Sequence, residues 1–202
     1  DEFIAASIYK LPLAMLYYDK VNEGEYTLDS TFTYSGYMHE DAGVISSDYG
    51  IGSQVPLSDL LNDLIIYSDN DAGHILYENL GGWKEYKEAM TKYTDSISEN
   101  YYTMDNVTTA NTMNDVVTYL YDHKEDYKGL IKNMEKAEPG EYLDRDTQLS
   151  MPQKYGMYDY ALNSVGFVEC NTSYSIVVLT SLGDKGADVM ANINRIAYEH
   201  FK

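Results

Sequence analysis

A serine and a lysine that lie three residues apart near the start of the chain are candidates for nucleophilic catalysis. In the run Ser7-Ile8-Tyr9-Lys10, a helical backbone places the hydroxyl and the amine on one face, about one turn apart. A serine hydroxyl needs a base, and a lysine can act as one only where burial or a nearby cation depresses its pKa. The alternative is a helix-capping serine followed by a lysine that extends along the surface. The pair alone therefore does not distinguish a catalytic role from a structural one.

Two further polar groups occur later in the chain. Ser68-Asp69-Asn70 ends a predicted amphipathic helix, where a hydroxyl and a carboxamide could bridge a lysine and a substrate amide; the alternative is an ordinary polar helix end. Lys154-Tyr155-Gly156 opens a predicted strand. Its cation could hold a substrate carboxylate while the strand edge pairs with the substrate backbone, or it could simply protect the edge of a sheet.

The segment around Ser7 is predicted to be a buried helix, because apolar residues occupy every side of a helix over residues 8–21. Pro12 has no N–H to bond to the Ile8 carbonyl, so we expect a distorted helix start over residues 7–10. Residues 30–56 are rich in Gly, Ser, Asp and Tyr and predict a long connection. The pattern beyond them predicts an all-helical middle. Helices are expected over 57–65, 83–91, 112–122 and 127–137, with a short helix that ends at residue 80.

The last third of the chain predicts an antiparallel sheet of three strands over 153–158, 161–169 and 174–181, followed by an amphipathic helix over 189–201. The fold class is therefore α+β. We expect a single domain over residues 1–202, with a helical lobe over about 22–138 and a sheet lobe formed by 1–21 and 139–202.

Composition excludes several classes of function. The chain has 33 acidic and 14 basic residues and a net charge of −19, which repels nucleic-acid phosphates and anionic lipids. No apolar stretch approaches the ~20 residues of a membrane span. The one cysteine, Cys170, is expected to be a small buried apolar residue. The four histidines, His39, His74, His123 and His200, lack zinc-site spacing. No metal or organic cofactor is implied.

The three polar groups together resemble the SxxK, SDN and Lys-x-Gly signature of class A β-lactamases and penicillin-binding proteins. The serine of the second motif follows Ser7 by sixty-one residues, and the third motif opens the late sheet. Longer stretches are also similar to the family, namely AASIYKLPLAMLY, GSQVPLSDLLNDLIIYSDNDAGHILYENLGG, VTTANTMNDVVTYLY and ALNSVGFVECNTSYSIVVLTS. The resemblance covers most of the chain in order.

The resemblance implies an acyl-enzyme mechanism. Ser7 would be the nucleophile and Lys10 its base or part of the proton path, while Ser68 would relay a proton and Asn70 would orient Lys10 and the substrate amide. Lys154 would bind the substrate carboxylate. The backbone N–H groups of Ser7 and of Met157, which follows Gly156, would form the oxyanion hole.

Three departures from the family pattern matter. Tyr155 stands where the family has a small hydroxyl residue. Glu99 is the only glutamate between Thr91 and Thr109, so it is the candidate for activating the deacylating water, although the motif around it is absent. The family's N-terminal helix and two strands have no counterpart before Ser7. We therefore expect that this part was lost or truncated, or that a partner chain completes the sheet.

The resemblance thus implies a β-lactamase/transpeptidase-like fold and a serine hydrolase that opens penicillin-type β-lactams, and it implies export to a bacterial surface. One alternative is a penicillin-binding D,D-peptidase that acts on D-alanyl-D-alanine-type peptides and deacylates slowly. A second is a non-catalytic module that binds cell-wall peptides.

Overall fold

The computed structural model describes residues 1–36, 43–147 and 149–202, so His39 lies outside the described residues. Helices and an antiparallel sheet pack around two apolar clusters. The helices are α1 (Lys10–Asn22), α2 (Ile45–Asp48), α3 (Leu57–Ile66), α4 (Asn70–Asn79), α5 (Trp83–Met90), α6 (Ala110–Asp122), α7 (Lys128–Met134) and α8 (Lys185–Phe201), with 3-10 turns over Ala6–Tyr9 and Thr91–Tyr93. The strands are β1 (Phe3–Ile4), β2 (Thr31–Thr33), β3 (Gln54–Pro56), β4 (Val107–Thr108), β5 (Gln153–Tyr158), β6 (Ala161–Val168) and β7 (Tyr174–Thr180).

Helix α1 runs through the larger apolar cluster, with every residue from Lys10 to Tyr17 buried. The distorted helix start predicted from Pro12 is confirmed, because residues 6–9 form a 3-10 turn before α1 begins at Lys10. The α-helical bond that Pro12 cannot donate falls in this first turn. The consequence is that Ser7 lies on the 3-10 turn, one turn before the buried helix.

The three predicted strands form one antiparallel sheet in the order β5-β6-β7, with β6 buried along its whole length. One face of β6 packs Val165 and Phe167 on the helices, and the other packs Leu162 and Val168 in the smaller cluster with Met190 of α8. Helix α8 begins four residues earlier than the predicted start at residue 189. The sheet therefore lies between α8 and the remaining helices.

Two regions differ from the sequence prediction. The predicted connection over residues 30–56 contains β2 and β3, which pair antiparallel, and the helical middle contains β4, which pairs with β1. These strands are two or three residues long, too short to show an alternating pattern.

Cys170 is only partly buried, since it lies after the end of β6, where its thiol faces the Thr172 carbonyl.

No helix in the described ranges has the length and apolar character that a membrane span requires.

Candidate active site

Ser7 lies where the 3-10 turn meets strand β5. A Cβ added at Gly156 would be 2.6 Å from the Ser7 backbone nitrogen and 2.8 Å from that of Ile8. Only glycine therefore lets β5 lie directly against the turn. The preceding residue, Ala6, has φ +50°, a left-handed conformation that residues with a Cβ rarely adopt. The Lys-x-Gly motif and a strained backbone thus place the Ser7 hydroxyl beside the strand edge.

Lys10 joins the first and second predicted motifs. Its side chain is fully buried, and Nζ donates to the Ser68 carbonyl at 2.5 Å and to Asn70 Oδ1 at 2.6 Å. Ser68 Oγ is 3.4 Å from the same nitrogen. The structure therefore brings Lys10 of α1 into direct contact with Ser68, on the turn between α3 and α4, and with Asn70, the first residue of α4.

Asp69, the middle residue of the second motif, holds that turn in place. Its buried carboxylate accepts hydrogen bonds from the N–H groups of Ala72 at 2.8 Å, Val44 at 2.7 Å and Ile45 at 3.0 Å. As the N-cap of α4, it fixes the start of the helix that carries Asn70. Ser68 has φ +58°, so the turn is held in a conformation that the chain alone disfavours.

Lys154 is a buried amine without a hydrogen-bond partner among the described residues. Burial lowers its pKa well below the ordinary value, and the positive charge of Lys10 lowers the pKa further. Its Nζ lies 4.1 Å from the centroid of the Tyr155 ring, which offers a weak cation–π contact. The two lysines of the predicted site are therefore close enough to repel each other, and an incoming anion would relieve that repulsion.

Tyr155 does more than replace a small hydroxyl residue. Its ring stacks on Tyr142 with centroids 4.9 Å apart and an interplanar angle of 21°. Burial, followed by the charge of Glu138, raises the pKa of the Tyr155 phenol to about 12. The phenol is thus neutral at ordinary pH and remains a hydrogen-bond donor.

The backbone of β5 presents Met157 to the same place as Ser7. Phe167 donates its N–H to the Pro152 carbonyl at 3.4 Å, which places this opposed pair in the hydrogen-bonded register of the β5–β6 ladder. Opposed residues alternate between bonded and non-bonded positions. Met157 lies an odd number of residues from Pro152, so its N–H points away from β6, toward the edge of β5 that lies against the 3-10 turn.

A cleft of about 580 Å³ opens over Ser7. Apolar and aromatic side chains line most of it, with a smaller polar share. Its lining residues are Ile4, Ala6, Ser7, Tyr9, Asn70, Tyr77, Trp83, Asp105, Asn106, Val107, Met157 and Tyr158. A cleft of this size and character fits a small organic ligand.

The lining of the cleft does not include Glu99, the acidic residue predicted for the site. Glu99 is exposed and is not among the described residues that line the cleft, and its neighbour Asn100 is bonded to the Glu2 carboxylate instead. Asp105 and Asn106, which do line the cleft, were not predicted. Their only sequence signal is their position immediately before Val107 and Thr108, which form β4.

Within the described residues, no group of three or more histidine, cysteine or acidic side chains is arranged to hold a metal ion.

Comparison with known proteins shows the family of this chain and its fold. The model of the beta-lactamase enzyme family matches residues 1–201. No curated protein sequence matches the chain. The structure is similar to that of PBP-A, at 18% identity over 100% of this chain and 82% of that chain with a TM-score of 0.85.

Two β-lactamase structures are also similar. An ancestral class A β-lactamase, GNCA, is 21% identical over 100% of this chain and 86% of its own, with a TM-score of 0.84. A β-lactamase from Chitinophaga pinensis is 22% identical over 100% and 87%, with a TM-score of 0.81. These likenesses show the β-lactamase/transpeptidase-like fold that the sequence predicted. Because the family model matches nearly its whole length, the chain belongs to the beta-lactamase enzyme family.

Proposed function

We propose that the protein is a serine hydrolase that opens the β-lactam ring of penicillin-type substrates through an acyl-enzyme. The observation that carries the proposal is the buried Lys10 amine, which is bonded to Ser68 and Asn70 next to Ser7. Once deprotonated, the Lys10 amine would have two N–H groups for these two oxygens and a lone pair that can accept the Ser7 proton. Such an amine can serve as the base that a serine nucleophile needs.

In the proposed reaction, the Ser7 hydroxyl oxygen attacks the β-lactam carbonyl and its proton passes to Lys10. The C–N bond of the ring then breaks and Ser68 delivers its hydroxyl proton to the departing nitrogen. The proton that Lys10 took from Ser7 passes to Ser68, whose Oγ lies 3.4 Å from the Lys10 Nζ. Ser7 carries the substrate as an ester, which a water molecule hydrolyses. The N–H groups of Ser7 and Met157 stabilise the carbonyl oxyanion, each by about 3 kcal/mol.

Substrate binding is assigned to Lys154 and to the cleft wall. A penicillin carboxylate supplies the anionic partner that the Lys154 amine lacks among the described residues. The aromatic rings of Tyr9, Tyr77 and Trp83 line the cleft and favour an apolar acyl side chain.

An intact-mass time course with benzylpenicillin tests the proposal, with Ser7→Ala as the matched control and the drug concentration followed in parallel. We expect a transient adduct on the wild type, none on Ser7→Ala, and consumption of the drug. Equal labelling of both proteins would remove Ser7 as the nucleophile. A wild type without any adduct, which binds ligand as well as Ser7→Ala does, would favour the non-catalytic binding module.

The position of Glu99 favours a second candidate, a penicillin-binding D,D-peptidase that deacylates slowly. The carboxylate that class A enzymes use to activate water has no counterpart at Glu99, which is exposed. The peptidase would form the same Ser7 adduct and retain it. Steady turnover of a chromogenic cephalosporin would contradict this candidate, and a persistent adduct would support it.

A bacterial surface is the location that suits either substrate, and we propose that the protein is exported there. In the part of the chain that the structure describes, β7 pairs only with β6. A segment or partner chain that adds a strand beside β7 would complete the sheet, and hydrogen exchange at the β7 amides of the cellular protein would report the added strand as protection.

A further inference from the structure

Asn106 contacts the backbone on both sides of Ala6, the residue before the candidate nucleophile. Its Nδ2 donates to the Ala6 carbonyl at 2.9 Å, and its own carbonyl accepts the Ala5 N–H at 2.8 Å. The Ala6 carbonyl and the Ser7 N–H belong to one peptide group. Asn106 is therefore bonded to the peptide group that would supply half of the oxyanion hole.

That peptide group needs support from its surroundings. Ala6 has φ +50°, and such a conformation persists only where neighbouring groups enforce it. Asn163 holds the preceding carbonyls, since its Nδ2 donates to Ile4 at 2.8 Å and to Ala5 at 3.1 Å. Among the described residues, Asn106 is the side chain bonded to the Ala6 carbonyl, so it governs the orientation of the Ser7 N–H most directly.

Lys87 fixes the segment that presents Asn106. Its ammonium is buried and donates to the carbonyls of Tyr101 at 2.6 Å, Thr103 at 2.8 Å and Asp105 at 2.6 Å. A lysine has three donors, and all of them are used here. The Asp105 carbonyl belongs to the peptide group that links Asp105 to Asn106, so Lys87 anchors the residue immediately before Asn106.

We propose that Asn106, anchored by Lys87, is a positioning residue that aims and polarises the Ser7 N–H as an oxyanion donor. A hydrogen bond to a peptide carbonyl strengthens donation by the N–H of the same group. This stronger donation lowers the free energy of the transition state and leaves substrate binding unchanged, because the oxyanion forms only in the transition state. The inference rests on the proposed acyl-enzyme function.

The test is the rate of Ser7 acylation by benzylpenicillin, measured by rapid-quench mass spectrometry over a range of drug concentrations. We expect Asn106→Ala to lower the acylation rate constant about tenfold, while the dissociation constant of the initial complex changes less than about twofold. Lys87→Met should show the same split, with a smaller loss of about threefold.

Two further variants separate positioning from general stability. Asn133 is a buried amide of α7 bonded to Asn62 at 2.8 Å, so Asn133→Ala should lower the melting temperature and leave the acylation rate unchanged. Asn106→Asp can donate to the Ala6 carbonyl only when its carboxyl is protonated. Its acylation rate relative to wild type should therefore rise as the pH falls, and a ratio independent of pH would overturn the inference.

Wild-type acylation rates in both Asn106→Ala and Lys87→Met would also overturn it. The Lys87→Met and Asn106→Asp measurements keep the test open where Asn106→Ala does not fold. A wild type that forms no adduct would instead remove the proposed function, and the inference with it, so the two failures are distinguishable.

Discussion

Replacing Lys154 by methionine should stabilise the fold and impair recognition of carboxylate substrates. The Lys154 amine is buried and has no hydrogen-bond partner within the described ranges. An unsatisfied buried polar group costs about 1–3 kcal/mol. The Tyr155 ring, 4.1 Å away, returns roughly 1 kcal/mol of this. Methionine keeps most of the packing, so the net gain is about 1 kcal/mol, or roughly 2–4 °C in melting temperature for a domain of this size.

The loss of activity should be much larger than the gain in stability. Removing one partner of a buried charged contact costs about 2–5 kcal/mol, which corresponds to a roughly 30-fold to several-thousand-fold lower kcat/KM for a penicillin. A penicillin ester lacks the carboxylate, so its acylation should change little. Thermal unfolding and acylation rates with the acid and the ester measure both effects on the same preparations.

The pH dependence of stability gives an independent check on the same lysine. Its pKa in the fold lies well below the ordinary value, because the amine is buried and Lys10 is near. Between that lowered pKa and the ordinary one, Lys154 binds more protons in the unfolded chain than in the folded chain, so the contribution of Lys154 to stability rises with pH. In Lys154→Met, this part of the pH dependence of stability should be absent.

A matched control is Lys87→Met, because the Lys87 ammonium is also buried but donates to three carbonyls. Removal of that ammonium should lower the melting temperature, opposite in sign to Lys154→Met. Two results would refute the reasoning: a lower melting temperature in Lys154→Met, or equal slowing with the acid and the ester.

Three further predictions concern acidic and aromatic side chains. Burial and then the charge of Asp69 raise the pKa of Asp63 to about 7. The contribution of Asp63 to stability therefore falls as pH rises from about 4 to 7, by up to about 1.4 kcal/mol per pH unit. Chemical unfolding at pH 5 and pH 8 should show that the stability of Asp63→Asn relative to wild type is greater at the higher pH. Glu99→Gln should leave the lifetime of the acyl-enzyme unchanged in the mass assay, because Glu99 is not among the described residues that line the cleft, whereas Asp105→Asn, at a residue that lines it, should lengthen that lifetime about tenfold or more. Tyr155→Phe should keep the melting temperature within about 2 °C and Tyr155→Thr should lower it by several degrees, because only the latter removes the stacked ring.

The long elements of the fold could be predicted from the sequence because each carries its own periodic signal. Helix α3 and strands β5 to β7 lie within one or two residues of the predicted ranges. The 3-10 turn before α1 followed from the chemistry of Pro12 alone. Strands β1 to β4 could not be predicted, because pairing partners that are distant in sequence form them and two or three residues show no pattern.

In the candidate site too, residues that belong to a local motif could be predicted, and residues positioned by distant parts of the chain could not. Ser7, Lys10, Ser68, Asn70 and Lys154 could be selected as candidates because each belongs to a short motif. Lys87 has no such signal, since on an amphipathic helix it looks like a surface lysine, and its burial depends on residues 101–105 folding over it. Glu99 was selected by residue type within an interval, but the path of the chain places Asp105 in the cleft instead.

Several unfavourable features of this fold belong to the candidate site around Ser7. Ala6 and Ser68 have left-handed backbones, and Lys154 is buried without a hydrogen-bond partner among the described residues. Each persists only because other groups enforce it, and those groups include Asn106 and Asp69, whose bonds go to the backbone. Residues that are structural by chemistry therefore set the geometry of the reactive groups. Substitutions that relax these features should stabilise the fold while slowing acylation, and Lys154→Met is the case in which both signs can be measured in one protein.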